Sequence, residues 1–308
     1  MIKQKRYFIP LIVIYVVLIS VLILTAVFPG IDYSVSGALT SGGAATYTAG
    51  NILEIWAEPV PLLPICFIIA MCAVYCIRAK AKNVLPKLLG FALAAAGAVL
   101  SYQIVYRIVR YYCKLRDITK PWTVAEGPFL SDKLWLKLVC AAVGAVIMLL
   151  FIYIAAKIKQ DILKQLQRIF AFVIIALLAE LAVVEGLKLF FGRMRYREWI
   201  KTYDGYWPWY RLNGKPASDA FKSFPSGHTA SAWLLLPQTF IFNALGKEKA
   251  GKTARICLLF WALTVMTSRI MAGAHFLSDV CAGALITVTI TAATGAIIFR
   301  DGKFVKED

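Results

Sequence analysis

Several stretches of roughly 18 or more residues run without a charged side chain, and each is long enough to cross a bilayer as a helix. Nothing else in the chain constrains its fold so strongly. In lipid a backbone has to satisfy its own hydrogen bonds, so such stretches become helices packed into a bundle. The pattern predicts an all-α polytopic membrane helix bundle of about eight transmembrane helices, over 7–28, 60–77, 88–106, 138–156, 169–191, 229–245, 256–271 and 276–299. Hydrophobic residues make up 60% of the 308 and the mean hydropathy is +0.71, too apolar for an ordinary soluble domain. The chain reads as a single integral-membrane domain over 1–308. Its N-terminal helices lie within 7–156, and a chemically distinctive region follows over 169–299.

The formal charge is +17. In a soluble protein that would point to nucleic acid. Here the basic residues flank the apolar runs, where they meet anionic lipid, so the partners expected are membrane lipids and not nucleic acid. Short basic loops at 78–87, 157–168 and 246–255 belong on the cytoplasmic side. The basic start, Met1 to Arg6, precedes an apolar run too long for a signal peptide and reads as an uncleaved first helix. The stretch 32–58 has no Lys or Arg and reads as a polar outer loop, with 52–56 lying on the membrane surface. Alternation then puts both termini inside. It also puts 107–137 outside despite its seven basic residues, which breaks the simple charge rule unless those charges meet headgroups or substrate phosphate.

Seven cysteines stand at 66, 72, 76, 113, 140, 257 and 281. None has metal-ligand spacing, and most sit in apolar runs as small packing residues, so neither metal nor disulfide is expected. Cys113 alone falls in a loop.

The chemistry concentrates near the C-terminus, in Lys188-Leu-Phe-Phe-Gly-Arg-Met-Arg195, Phe224-Pro-Ser-Gly-His228 and Ser268-Arg-Ile-Met-Ala-Gly-Ala-His275-Phe-Leu-Ser-Asp279. Both histidines of the chain, His228 and His275, fall inside these stretches. Lys188 and Arg195 are two helical turns apart and fit one helix face. Pro-Ser-Gly before an apolar run reads as a helix start whose free N–H groups suit an anion. His275 and Asp279 are four apart, a spacing at which a carboxylate can orient an imidazole. Three cations, two imidazoles and one carboxylate are the equipment for phosphoryl transfer without metal or other cofactor. Glu180 and Glu185 lie in the apolar run 169–191. An ionisable group there faces the bundle interior, and Glu185 can pair with Lys188 at i, i+3. The loop 193–223 carries Trp199, Tyr203, Tyr206, Trp207, Trp209 and Tyr210. It reads as an irregular, headgroup-level segment, either anchor or gate. Arg193 and Arg197 read as loop or headgroup charges.

Lys-x6-Arg, Pro-Ser-Gly-His and Ser-Arg-x5-His-x3-Asp resemble the three signature motifs of the type 2 phosphatidic acid phosphatase superfamily. The second and third match fully. The first departs by one residue, because Tyr196 follows Arg195 where that family has proline. The resemblance implies a six-helix core, here with two additional N-terminal helices. It implies His275 as the nucleophile forming a phosphohistidine, with Asp279 holding its ring. His228 would protonate the leaving group and then activate water. Lys188, Arg195 and Arg269 would bind the phosphoryl oxygens, Ser226 and the Gly227 N–H would complete the cradle, and Ser268 would support Arg269.

The implied activity is hydrolysis of a lipid phosphate or diphosphate. On the eight-helix plan all three motifs meet at the outer membrane face. That side suits recycling of undecaprenyl diphosphate in a bacterial cytoplasmic membrane, which gives an undecaprenyl-diphosphatase-like reading. A phosphotransferase with the same intermediate is the alternative, and a transporter or lipid-binding membrane protein is a further one. No residue reads out the lipid tail or an oligomeric state.

Overall fold

A computed structural model describes residues 2–57, 59–80, 83–118, 133–202 and 205–300, with side chains from residue 11 onward except those of 114–118. Among these the regular structure is helical throughout. In chain order the helices are α1 (Ile2–Val27), α2 (Pro29–Thr40), α3 (Ala44–Ala57), α4 (Pro59–Ile77), α5 (Leu85–Ile118), α6 (Leu134–Ala156) and α7 (Gln160–Phe191). They continue with α8 (Tyr196–Thr202), α9 (Gly227–Trp233), α10 (Leu235–Gln238), α11 (Phe240–Ala244), α12 (Glu248–Met271) and α13 (Leu277–Ile298). Six stretches are long and apolar enough to cross a membrane, and a seventh results if α1 and the sharply bent α2 form one span. The chain is an all-α integral membrane protein. Large apolar side chains such as Val16, Leu149 and Phe260 point outward, as they do when the solvent is lipid.

The described residues thus hold fewer uninterrupted spans than the eight helices expected. The apolar stretch 229–245 is broken into α9, α10 and α11. Pro237 lies inside α10, and it has no N–H to continue the helical ladder. The stretch 32–58 is no loop. It forms α2, with Pro29 in its first turn, and then α3 after a turn in which Gly43 has φ +59°. α5 continues through 107–118, so those residues are helix. The remainder of the expected basic loop up to 132, Tyr203 and the tail 301–308 lie outside the described residues. Cys113 is buried on α5 and not in a loop.

The residues divide into two compact units. One holds α4, α5 and α6. Its helices meet at small residues: a Cβ on Gly144 would lie 2.6 Å from the Tyr102 amide nitrogen, and one on Gly97 would lie 2.5 Å from Met148 Cε. This is the close packing that Gly and Ala permit where no hydrophobic force distinguishes a helix from lipid. Arg78 closes the end of α6 by donating to the carbonyls of Ala156 and Ile158.

The other unit is built on α13. Tyr15 on α1 donates to Thr289 at 2.7 Å. Thr287 donates to the Ala230 carbonyl of α9 at 3.0 Å. A Cβ on Gly283 would run into the Ser226 carbonyl, so the absence of a side chain there lets α13 seat the Pro-Ser-Gly-His turn. This unit carries every motif residue.

Candidate active site

The site grows from the start of α13. Asp279, in its first turn, accepts from the Phe276 amide at 2.8 Å and from Ser223 Oγ at 2.5 Å, both on Oδ2. Its Oδ1 accepts from Arg193 Nη1 at 2.5 Å. Arg193 also donates through Nη1 to Ser278 Oγ, through Nη2 to Asp32 Oδ2 and Tyr206, and through Nε to the Trp207 carbonyl. Asp32, on α2, accepts from the amide and hydroxyl of Ser278 at 2.7 and 2.6 Å and from Tyr206 at 2.7 Å. Arg193, Asp32 and Asp279 are fully buried. A fork-shaped guanidinium suits two carboxylates at once. Arg193 is therefore not a headgroup charge but the centre of a buried acid–base–acid chain. Phe276 lies against it at 4.2 Å.

The aromatic residues of the loop follow the same inward turn. Trp199, Tyr206 and Tyr196 pack on Phe276, and Tyr33 of α2 packs on Trp199 and Tyr206. These rings pack around Phe276, which itself lies over the Arg193 guanidinium. Tyr210 remains exposed.

His275 sits just ahead of α13. Its Nδ1 lies 2.7 Å from the Ser223 carbonyl oxygen and 3.8 Å from Asp279 Oδ2. The second distance is too long for a hydrogen bond. A carbonyl only accepts, so Nδ1 carries the proton and Nε2 is left with a free lone pair. The i, i+4 spacing did bring imidazole and carboxylate into one neighbourhood. Asp279 acts on the ring through Ser223, whose hydroxyl it accepts from while the main chain of the same residue holds Nδ1.

The three cations gather on the same side. Arg269, at the end of α12, is 0% exposed and places Nη2 3.2 Å from Glu54 Oε1. Its Nε and Nη1 have no partner among the described residues. Lys188, at the end of α7, pairs with Glu185 at 2.5 Å, as its spacing predicts. A Cβ on Gly227 would lie 3.1 Å from Lys188 Nζ, so the bare glycine keeps the ammonium against the start of α9. Arg195 donates to the carbonyl and carboxylate of Asp219, both at 2.9 Å. Ser226 caps α9: its Oγ accepts from the Thr229 amide and hydroxyl, and its amide donates to the Asp279 carbonyl. The Ser268 hydroxyl donates to Val265 and not toward Arg269. His228 Nε2 lies 4.0 Å from Glu54 Oε1.

Both imidazoles are held below their usual range. Burial is the main cause for His228, followed by the adjacent Arg269, and its pKa falls well below the ordinary value. Burial likewise brings His275 down to about 4. The site therefore has two neutral imidazoles beside three cations, a field that favours an anion with several oxygens.

The residues read from sequence, Lys188, Arg195, Ser226, Gly227, His228, Arg269, His275 and Asp279, all lie in this unit. Sequence reasoning missed Asp32, Glu54, Arg193, Asp219 and Ser223. For Asp32 and Glu54 a faint signal existed, because they are acids in a stretch free of Lys and Arg.

Fold and site together define an integral-membrane protein in which two histidines and three cations gather in one unit. Residues 169–303 match the model of the PAP2 superfamily, which supports the type 2 phosphatidic acid phosphatase resemblance carried by the motifs. That superfamily suggests phosphatase or phosphotransferase activity on phosphate esters. No curated protein and no solved structure matches the chain.

Proposed function

We propose that the protein is a lipid phosphate phosphatase or diphosphatase working through a phosphohistidine. The observation that carries this reading is Arg269. It is buried with Nε and Nη1 lacking acceptors among the described residues, an arrangement costly to keep unless an anion fills it, and both histidines stand in its field.

On this reading Lys188, Arg195 and Arg269 hold the phosphoryl oxygens, and the Gly227 N–H and Ser226 complete the cradle. His275 Nε2 attacks the terminal phosphorus as its bond to the leaving oxygen breaks, the ester oxygen of a lipid monophosphate or the bridging oxygen of a diphosphate. His228, which takes up a proton once the phosphate dianion offsets the neighbouring cations, gives that proton to the leaving group. It then removes a proton from the water that attacks the phosphohistidine, and phosphate departs. Asp279 keeps the His275 ring in place through Ser223.

For substrate we favour a polyprenyl diphosphate such as undecaprenyl diphosphate, at the outer face of a bacterial cytoplasmic membrane with both termini inside. The supporting argument is the alternation of short basic loops, which sends the motif ends to the outer side. Purified protein in detergent with EDTA should release phosphate from undecaprenyl diphosphate faster than from phosphatidic acid or phosphatidylglycerol phosphate, and His275→Ala should release none. Release that persists in His275→Ala would end the phosphohistidine reading. Absence of hydrolysis with transfer to an added alcohol would instead assign a phosphotransferase.

A further inference from the structure

Glu54 reaches the site from α3, well before the matched residues 169–303. A buried carboxylate needs partners, and Glu54 reaches two groups assigned to the chemistry: Arg269 Nη2 at 3.2 Å and His228 Nε2 at 4.0 Å. The approach is built one turn earlier on the same face of α3. A Cβ on Gly50 would lie 2.6 Å from the Ala272 amide nitrogen and 2.8 Å from the Ser268 carbonyl. With only a hydrogen there, α3 lies directly on the C-terminal end of α12, and its next turn delivers Glu54 to Arg269.

The charged and titratable groups that act most on His228 are Arg269 from α12, Glu54 from α3, His275 from the loop before α13, and Lys188 from α7. Burial and three of these oppose a proton on the ring, whereas Glu54 favours one. A general acid must hold its proton until the leaving group takes it. In this surrounding the carboxylate is what offsets the cations beside the ring.

We propose that Glu54 is a positioning residue of the phosphoryl site, which fixes Arg269 and stabilises the protonated His228 that donates to the leaving group. The inference rests on the phosphohistidine reading above. Glu54 also supplies negative charge to the cation cluster while no phosphate is bound.

The chain's two histidines make the test direct. Protein labelled with 15N in its histidine rings gives two sets of ring signals in micelles, and His275→Ala assigns them. With inorganic phosphate present, Glu54→Gln should lower the pH at which His228 titrates by about one unit or more, the size of shift an opposite charge at this range produces. His275 should move less. Phosphate release at pH 7 should fall at least tenfold. Glu54→Asp keeps the charge but withdraws it, and should shift His228 by less; it carries the test alone if Glu54→Gln does not fold. An unmoved His228 titration overturns the proposal, as does wild-type turnover in Glu54→Gln. If wild-type protein shows no His275-dependent release, the phosphohistidine reading fails and takes this proposal with it. The titration does not depend on activity, so the two failures are distinguishable.

Discussion

Arg193 Nη1 lies 2.5 Å from Asp279 Oδ1, and neither side chain is exposed to solvent. The same guanidinium holds Asp32 at 2.9 Å. Removing one member of a buried ion pair leaves the rest uncompensated, at a cost of about 3–5 kcal/mol. Arg193→Gln should therefore lower the melting temperature in detergent by several degrees or prevent folding. Arg193→Lys should rescue little, because one ammonium cannot bridge two carboxylates as a planar fork does. A melting curve of Arg193→Lys matching wild type would contradict this account.

Asp32→Ala should cut phosphate release at least tenfold and lower the melting temperature, although residue 32 lies outside the matched region. The substitution strips Arg193 of one carboxylate and leaves the Ser278 amide at the start of α13 without its acceptor. Comparing the variant with wild type by melting and by phosphate release checks both effects.

Ser223→Ala removes one of three donors to Asp279 but leaves the main-chain carbonyl that holds His275 Nδ1. The loss should be that of one charge-assisted hydrogen bond, about 1.5–3 kcal/mol, and acid-labile phosphoenzyme should still be trapped. His275→Ala should give none. Phosphoenzyme missing from both variants would mean that the Ser223 hydroxyl, and not its carbonyl, governs the ring.

His275 titrates at about 4 in the folded protein, below its ordinary 6.5. Between those values the unfolded chain binds the extra proton and the folded one does not, so stability falls as pH drops through this window and levels off below about 4. The full difference amounts to about 3 kcal/mol. Melting temperature measured from pH 7 to pH 4 should decline more steeply for wild type than for His275→Asn. Parallel curves would remove His275 from the effect.

Gly50→Ala should reduce phosphate release by wedging α3 away from the Ser268 carbonyl and Ala272 amide, which draws Glu54 back from Arg269. Gly186→Ala on α7 is the control, since a Cβ there meets nothing within 4 Å. It should leave activity unchanged and add slightly to stability, as alanine does in a helix. Equal damage from both substitutions would show that neither effect is local.

The C-terminal half of the site was legible because its groups are close in sequence and locally patterned: Lys188 with Glu185 on one helix face, Ser226 as a helix cap, His275 and Asp279 one turn apart. What the spacing could not show was Ser223 standing between His275 and Asp279, because that contact comes from how the loop before α9 folds back. Asp32 and Glu54 left only a faint trace in the sequence, for a different reason. Their partners, Ser278 and Arg269, are 246 and 215 residues away, and no periodicity encodes such pairs. The Gly- and Thr-rich composition of 32–58 hid α2 and α3 as well. These helices are held by buried polar contacts, so they lack the apolar stripe that announces a helix.

The two acids from α2 and α3 have a bearing on how this chain can change. A boundary drawn at residue 169 would cut through the candidate site, leaving Arg193 and Arg269 each short of a buried counter-ion. The matched segment and the N-terminal helices are therefore one inheritable piece: a change at Asp32 or Glu54 calls for an answering change at Arg193 or Arg269. Grafting residues 169–303 behind foreign helices would succeed only if those helices brought two carboxylates to the same places.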